Sequence, residues 1–378
     1  MKFFRAVALA LSLVLLLPCL PAAALSEDEI ASPSAILMDA DSGKILFEKN
    51  AHEQRPCASI TKVMTLLLVM EALDSGRIHL DDTVTASAHA ASMGGSDIWL
   101  EEGEQMTADD MIKATAVASA NDAAVALAEH IAGSEDDFVV MMNDRAKELG
   151  MEETVFLNCN GLDEDGHVTS AYDVALMSCA LLQHEKIFDY TSIWIDTLRG
   201  GETQIVNTNK LLKTYDGITG LKTGTTSAAG SCISASADRD GLRLVAVVLG
   251  ADSGTERFRD AAALLDYGFA NFESVALSLS DEIYPVAVEN GMQDTVDVTC
   301  TGVGAVTVPK GSAENVKQTL DIAEQVEAPV KKGALVGTIT FSIDGETLES
   351  FDVVAAESVE KMTFSSVLQA LFSALISM

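Results

Sequence analysis

Basic residues are scarce in this sequence. Its 378 residues include 24 lysines and arginines against 57 aspartates and glutamates, which gives a formal net charge of −33 at pH 7. A protein that binds nucleic acid needs basic side chains to displace the counterions of the phosphates, so the composition argues against that partner. The same deficit argues against simple electrostatic docking on anionic lipids. With 48% hydrophobic residues, the chain can still bury a large core.

Cysteine and histidine are too few and too scattered for the sites they usually build. The six cysteines include no C-x-x-C pair, so neither a disulfide framework nor a zinc site is predicted. We expect the cysteines to be small buried apolar side chains. The six histidines fall in no ligand spacing, and His52, the nearest to a motif, has no clear partner. We therefore expect structural histidines, no metal and no organic cofactor.

The N-terminal segment has the pattern of a secretory signal. Lys2 and Arg5 precede an unbroken apolar stretch, and three alanines at 22–24 form a small-residue cleavage site. The alternative is a retained membrane helix, for which the apolar run is short. Residues 1–24 are therefore predicted to be a signal peptide. The remaining protein is expected to be exported from the cytoplasm.

Periodicity and turn residues predict mixed helices and strands over residues 25–275. A hairpin around residues 41–44 is followed by a helix that stops at Gly76. Two further helices meet at residues 119–121. Alternating strands then flank a turn at residues 240 and 241, and a helix closes this part.

The C-terminal part has a different composition. Residues 276–356 are rich in Val and Thr, with a hairpin predicted at residues 344 and 345, and indicate a small all-β domain. Residues 357–378 carry apolar side chains at helical spacing, separated by Ser, Thr and Gln. This stretch is too short and too polar to span a bilayer. We expect an amphipathic helix that anchors the protein in the outer leaflet of the cytoplasmic membrane; the alternative is packing against the β domain.

Ser59 and Lys62 are the first candidates for catalysis. They lie three residues apart at a predicted helix start, so their side chains project on the same face. A serine hydroxyl becomes a nucleophile when a base takes its proton. Lysine can be that base only if burial and a second nearby cation lower its pKa. Lys222 is the candidate for this cation, with Ser119 and Asn121 as polar groups that orient the proton path.

The order of three motifs is more specific than any one of them. S-x-x-K at 59–62, S-x-N at 119–121 and K-T-G at 222–224 form a trio found in serine β-lactamases and penicillin-binding proteins. Together with "LEEGEQMTADDMIKATAVASANDAAVALAEHI" and "NTNKLLKTYDGITGLKTGTTSAAGSC", they make the chain resemble the low-molecular-mass penicillin-binding proteins, serine-type D-alanyl-D-alanine carboxypeptidases of the peptidase S11 kind. The likeness extends from about residue 30 to 275. It implies an α/β (α+β) fold of the serine β-lactamase/DD-peptidase type, with a central antiparallel sheet flanked by helices.

The resemblance also implies a substrate and the roles of the residues that act on it. Ser59 would attack the carbonyl between the two terminal D-alanines of a peptidoglycan stem peptide, and Lys62 would accept its proton. Ser119, held near Lys62 and Asn121, would carry that proton to the leaving D-alanine nitrogen. β-Lactam antibiotics would be covalent inhibitors of the same serine.

The third motif would hold the substrate. Lys222 and Thr223 would bind its terminal carboxylate, a natural task for a cation and a hydroxyl. The strand that carries Gly224 runs beside the nucleophile, so the backbone N–H groups of Ser59 and Thr225 would form the oxyanion hole.

One position has an alternative, and two depart from the pattern of the resembled family. Arg257 aligns with a family arginine that assists in binding the carboxylate, and Arg259 is the alternative. Ala120 stands where relatives often have glycine, a small change. Thr225 stands where some relatives carry a histidine, so its expected role is through its backbone.

Other activities use the same serine–lysine machinery. A β-lactamase is disfavoured because no convincing Glu-x-x-x-Asn loop lies between Asn121 and Lys222. A D,D-endopeptidase that cuts cross-links would use the same residues as a carboxypeptidase. A non-catalytic β-lactam sensor is a further alternative, against which the intact motifs argue. The carboxypeptidase is the preferred prediction.

Overall fold

A computed structural model describes residues 25–279, 284–300, 302 and 304–368. The chain divides into two compact units after Asn271. This division precedes the predicted boundary at 275, because the strand Phe272–Ala276 pairs with Ala305–Pro309 of the second unit. The predicted signal peptide (1–24) and the end of the predicted C-terminal helix (369–378) lie outside the described residues.

The first unit is built on one central sheet. The strands of this unit are β1 (Ser34–Asp39), β2 (Ile45–Lys49), β3 (Thr83–Thr85), β4 (Gln105–Thr107), β5 (Ile195–Leu198), β6 (Thr203–Val206), β7 (Ile218–Thr226), β8 (Gly230–Arg239) and β9 (Leu242–Ala251). In the described residues, five of them form a sheet in the order β2-β1-β9-β8-β7, and all neighbours are antiparallel. The strand β7 is therefore an edge strand, which leaves one side of the K-T-G motif open to a ligand.

Helices cover both faces of this sheet. The helices of the first unit are α1 (Lys62–Asp74), α2 (Ala88–Ala91), α3 (Ala108–Lys113), α4 (Asn121–Ala132), α5 (Glu135–Glu148), α6 (Ala171–Leu182), α7 (Phe188–Thr191), α8 (Leu211–Thr214) and α9 (Gly254–Asn271). Helix α6 packs on β1 and β9 and against α1, whereas α9 packs on β8 and β9. This arrangement confirms the predicted antiparallel sheet flanked by helices.

Alternation along the central strands explains the two covered faces. Ile36 and Met38 of β1 belong to the large core shared with α1 and α6. Leu37 and Leu244 point the other way, where a Cβ at Gly268 of α9 would lie 2.4 Å from Leu244 Cδ1. Successive side chains of a strand point to opposite faces, so a strand buried on both faces is apolar without interruption.

The predicted turns are present, and a side-chain cap begins α3. Helix α1 ends at Asp74, and Gly76 follows with a left-handed φ of +70°. The Thr107 hydroxyl accepts the N–H of Asp110 at 3.1 Å and caps α3. Asp240, with φ +53°, begins the predicted hairpin turn between β8 and β9. Asn, Asp and Gly tolerate this backbone region, which is why they signal such turns.

The second unit is all-β, as predicted. Its strands are β10 (Phe272–Ala276), β11 (Val286–Glu289), β12 (Thr295–Val296), β13 (Val298–Cys300), β14 (Ala305–Pro309), β15 (Lys317–Ile322), β16 (Gln325–Glu327), β17 (Leu335–Ile343) and β18 (Glu346–Ala355). The β17–β18 hairpin turns at Asp344 and Gly345, the predicted positions. Valines, Ile339 and Phe341 fill the core of this second unit.

The predicted terminal helix begins later than residue 357. Val359 is buried and bridges to Val330, so residues up to about 361 belong to the β unit. The described helical residues are 364–368, where the Phe364 side chain is 85% exposed. Among the described residues, no helix is long and apolar enough to cross a membrane.

The cysteines of the described residues are unpaired thiols. Cys57, Cys159 and Cys232 are fully buried in the first unit. Burial raises the pKa of the Cys57 thiol to about 12, because the thiolate would lose its hydration. These three side chains therefore act as small apolar groups.

Candidate active site

Ser59 lies in a tight turn at the start of α1. The turn is a 3₁₀ segment, Ala58–Thr61, and Lys62 is the first residue of the α-helix. The Lys62 ammonium group donates a hydrogen bond to Ser59 Oγ at 3.0 Å. The structure thus brings the two residues of the first motif into direct contact.

Two glycines pack against the backbone of this turn. A Cβ on Gly161 would lie 2.0 Å from the Ala58 carbonyl oxygen, and one on Gly224 would lie 2.9 Å from the Ser59 nitrogen. Ala58 itself has a left-handed φ of +52°. Only glycine allows backbone segments to approach so closely. Gly224 was predicted as a site residue, whereas nothing in the sequence pattern distinguished Gly161 from an ordinary loop glycine.

Lys62 is fully buried, and this burial determines its ionisation. Its hydrogen-bond acceptors are Ser59 Oγ at 3.0 Å, Asn121 Oδ1 at 2.5 Å and the Asn160 carbonyl oxygen at 2.6 Å. Loss of hydration lowers the pKa of Lys62 to about 7, although the nearby Asp97 and Asp122 carboxylates act in the opposite direction. Near neutral pH, a large fraction of Lys62 is therefore an uncharged amine able to accept a proton.

Lys222 is the second buried lysine. It donates a hydrogen bond to the Thr223 carbonyl oxygen at 3.0 Å. Burial holds its pKa well below the usual range, and the charges of Lys62 and Arg257 lower it further. The sequence predicted that the Lys222 charge would lower the pKa of Lys62. The structure shows burial, the other predicted cause, as the main reason for the lowered pKa of both lysines.

The S-x-N motif forms the joint between two helical segments. A π-helical turn, Ala114–Ala118, ends at Ser119, which is buried and has a left-handed φ of +62°. Asn121 begins α4. Its amide donates to the Gly94 carbonyl oxygen at 2.6 Å, which aims Oδ1 at Lys62. The Ser119 hydroxyl makes no hydrogen bond to any described residue, so it is available to a ligand.

Arg257 reaches the K-T-G strand from α9. One guanidinium nitrogen donates to the Gly224 carbonyl oxygen and to Thr225 Oγ1, both at 2.8 Å. Its Nε is buried and has no hydrogen-bond partner in the described part of the chain. The Arg259 side chain is 60% exposed and pairs with Asp260 at 2.9 Å. The structure therefore places Arg257, and not the alternative Arg259, at this strand.

A cavity of about 420 Å³ adjoins Arg257. Lys210, Thr214 and Gly254 also line it. Thr223 donates its hydroxyl hydrogen to Thr208 Oγ1 at 2.7 Å, which ties the K-T-G strand to the segment before α8. The Arg257 guanidinium and the Thr223 hydroxyl therefore both lie at the K-T-G strand, a setting suited to a carboxylate.

His167 is a site-supporting residue that sequence analysis missed. Its Nε2 lies 2.8 Å from Thr61 Oγ1, which donates in turn to the Ala58 carbonyl oxygen at 2.9 Å. Its Nδ1 accepts the N–H of Leu157 at 3.1 Å, so Nε2 carries the proton. Burial lowers the pKa of His167 to about 4, which keeps the ring neutral. The sequence contains no local signal for this contact, because Thr61 and His167 meet only in the fold.

His52 is not adjacent to the catalytic motif but has clear partners. Its ring lies 3.2 Å from Glu153 and packs on Tyr172 with ring centroids 4.6 Å apart. The expectation that it lacks a partner was wrong. In the described residues, no group of three His, Cys, Asp or Glu side chains could hold a metal ion.

Comparisons with known proteins agree with this geometry. Residues 22–253 match the peptidase family S11, D-alanyl-D-alanine carboxypeptidase, and residues 272–361 match the C-terminal domain of penicillin-binding protein 5. The chain is 43% identical over 341 residues to D-alanyl-D-alanine carboxypeptidase DacF of Bacillus subtilis, covering 89% of this chain and 88% of that protein.

Solved structures show the same fold. Penicillin-binding protein 5 from Haemophilus influenzae is 31% identical, with a TM-score of 0.79 over 89% of this chain and all of that one. Penicillin-binding protein D2 from Listeria monocytogenes in the ampicillin-bound form is 33% identical, with a TM-score of 0.59 over 64% of this chain and 98% of that one. The chain therefore belongs to the D-alanyl-D-alanine carboxypeptidase family, which confirms the relationship that its motifs predicted.

Proposed function

We propose that the protein is a serine-type D-Ala-D-Ala carboxypeptidase that removes the terminal D-alanine of peptidoglycan stem pentapeptides. The observation that carries this proposal is the contact between Ser59 and the fully buried Lys62, whose pKa burial lowers to about 7. A hydroxyl next to an uncharged amine is an activated nucleophile.

Acylation begins with attack of Ser59 Oγ on the carbonyl carbon between the terminal D-alanines. Lys62 Nζ takes the hydroxyl proton, and the carbonyl oxygen becomes an oxyanion. The backbone N–H groups of Ser59 and Thr225 stabilise this charge. The close packing of Gly224 on the Ser59 nitrogen supports this role, because it brings the next N–H of β7 alongside the nucleophile.

Collapse of the tetrahedral intermediate breaks the peptide bond. The leaving D-alanine nitrogen receives the proton held by Lys62, through the Ser119 hydroxyl. Asn121 supports this route, since it contacts Lys62 and belongs to the same turn as Ser119. Water then attacks the ester on Ser59, Lys62 accepts a proton from it, and the shortened peptide leaves as a carboxylic acid while Ser59 regains its hydrogen.

The terminal carboxylate of the substrate binds Lys222, Thr223 and Arg257. The Lys222 amine and the Arg257 guanidinium are both buried, and Arg257 Nε, which has no hydrogen-bond partner in the described residues, can donate to an anionic ligand. A negative ligand would also favour the charged form of Lys222, whose pKa is low in the free site. Substrate binding and proton uptake by Lys222 are therefore linked.

A β-lactam undergoes the acylation half of this reaction and remains bound to Ser59 as an ester. In the described residues, Lys62 donates hydrogen bonds to a hydroxyl, a side-chain amide and a main-chain carbonyl, and to no carboxylate. A base of the kind that a β-lactamase uses to activate water is thus absent from its contacts. We expect a long-lived penicilloyl ester on Ser59, which makes the β-lactams inhibitors and not substrates.

Mass spectrometry tests the proposal. Intact mass after incubation with benzylpenicillin should show one adduct that maps to Ser59 and is missing in Ser59→Ala. D-Alanine release from a pentapeptide then distinguishes an enzyme from a β-lactam sensor. Rapid loss of the adduct with turnover of penicillin would instead identify a β-lactamase, and cleavage of dimeric muropeptides would identify an endopeptidase.

Export and membrane association are part of the same proposal. The apolar segment within residues 1–24 and the exposed Phe364 at the start of the terminal helix support them. The mature protein from the native host should begin at residue 25, as N-terminal sequencing would show. Deletion of residues 364–378 should release the protein from the membrane fraction; continued association would refute the anchor.

A further inference from the structure

Trp99 is presented to solvent in a conformation that aromatic residues rarely adopt. Its side chain is 79% exposed, and its backbone has a left-handed φ of +55°. Such a conformation is strained in a residue other than glycine and persists only where the surroundings impose it. An exposed tryptophan that is held in place at this cost calls for a function.

The carboxylate of Asp122 imposes this conformation. It accepts the N–H of Ile98 at 3.1 Å and the N–H of Leu100 at 3.0 Å, on either side of Trp99. Ile98 and Leu100 are both buried. With both neighbours turned inward and their N–H groups fixed, the intervening indole can point only outward.

The same loop contacts the catalytic asparagine. The Asn121 N–H donates to the Ser96 carbonyl oxygen at 2.7 Å, and its side-chain amide donates to that of Gly94. Trp99 is three residues from Ser96, so the two Cα atoms are at most about 11 Å apart. Trp99 therefore lies on a loop that is hydrogen-bonded to the candidate active site.

A polar cleft of about 630 Å³ lies beside the indole, a size typical of ligand pockets. Its lining includes Glu101, Glu102, Glu104 and Arg199. The Arg199 guanidinium donates to both oxygens of Glu104, at 2.7 and 3.2 Å, so this part of the wall is rigid. The carboxylates of Glu101 and Glu102 are exposed acceptors for hydroxyl and amide hydrogens.

We propose that Trp99 and this cleft bind the glycan strand that carries the stem peptide. An N-acetylated sugar has an apolar ring face to lie on the indole, and hydroxyl and acetamido N–H groups to donate to the carboxylates. The acidic wall repels phosphate-bearing polymers and anionic lipids. This assignment rests on the proposed function, since it uses the covalent link between glycan and stem peptide.

Tryptophan fluorescence tests binding directly. The chain has two tryptophans, so Trp194→Phe leaves Trp99 as the only indole emitter. The N-acetylglucosamine tetramer, used as the probe, should change this emission saturably. No saturable change up to millimolar tetramer would overturn the proposal.

Kinetics test whether binding serves catalysis. Trp99→Ala should lower kcat/KM about tenfold for disaccharide-linked pentapeptide through a higher KM, and leave release of D-alanine from the free pentapeptide unchanged. Trp99→Phe should recover most of the loss. Tyr284→Ala removes a 71% exposed aromatic side chain from the other unit and should change neither rate.

Each other outcome is informative. Equal loss on both substrates would overturn the glycan site and assign Trp99 to positioning the Asn121 loop. If Trp99→Ala weakened only binding to phosphatidylcholine vesicles and left both rates unchanged, the glycan site would be overturned and Trp99 assigned to lipid. If neither wild-type substrate reacts and penicillin forms no adduct, the proposed function fails first; if the adduct forms and only the glycan effect is missing, the glycan site alone fails.

Discussion

Acylation by this protein should depend steeply on pH below neutrality, because Lys62 must be uncharged to accept the Ser59 proton. Burial lowers the pKa of Lys62 to about 7. At pH 5 about one molecule in a hundred then has neutral Lys62. The second-order rate constant for acylation by penicillin should therefore be about 100-fold lower at pH 5 than on the plateau above pH 8.

Asp97 offers a way to move this profile without touching the nucleophile. Its negative charge raises the pKa of Lys62, and its Oδ1 is buried with no hydrogen-bond partner in the described residues. Asp97→Asn should therefore lower the pKa of Lys62, shift the midpoint of the profile toward acid and speed acylation at pH 6. Asp240→Asn changes the same charge in the β8–β9 turn, which is not among the groups that act on Lys62, and should leave the midpoint unchanged.

Stopped-flow acylation with a chromogenic or fluorescent penicillin between pH 5 and 8.5 measures these midpoints. Circular dichroism at each pH controls for unfolding. A rate that stays constant from pH 5 to 8 would refute Lys62 as the base. If the wild type shows the expected pH profile and Asp97→Asn does not move its midpoint, the proposed effect of the Asp97 charge on Lys62 is refuted. The role of Lys62 as the base would stand.

Three further changes test the supporting geometry. Arg257→Ala should raise the KM for a D-Ala-D-Ala peptide about 10- to 100-fold, as for a lost charged hydrogen bond, whereas Arg259→Ala should leave steady-state kinetics almost unchanged. Gly161→Ala should abolish acylation or folding, because the new Cβ would lie 2.0 Å from a carbonyl oxygen. The control Gly166→Ala has a similar φ, but its Cβ would lie 3.7 Å from the nearest side chain. It should lower the free energy of unfolding in urea by only about 1 kcal/mol. His167→Ala should lower the free energy of unfolding by about 1–3 kcal/mol and slow acylation, and an unchanged urea midpoint would contradict the contact with Thr61.

Local features of this protein follow directly from the sequence. The S-x-x-K spacing, the Thr107 cap and the hairpin turns at Asp240 and Asp344 involve residues within a few positions of each other. Backbone propensity and helical spacing decide such features before distant parts of the chain meet. The order of the three motifs also predicted the family and its fold, because one reaction requires all three motifs in the same site.

The properties that make the site reactive come from contacts between distant residues. Ser59 is three residues from Lys62 in the sequence, but the pKa of Lys62 depends on its burial and on the charges of Asp97 and Asp122. The sequence named burial and a second cation as the two conditions, but it could not show how deeply Lys62 is buried. Desolvation is a property of the packed interior, and no local pattern reports how much water a side chain retains.

Sequence alone therefore determined the residue types, their local conformations and the family to which the chain belongs. Tertiary structure decided that Arg257 reaches the catalytic strand, that Gly161 closes on the nucleophile turn, and that Asp122 turns Trp99 outward. In each case the partners are separated by more than twenty residues along the chain. Their meeting depends on how the sheet and helices pack, which is a cooperative outcome of the whole unit and is encoded in no single segment.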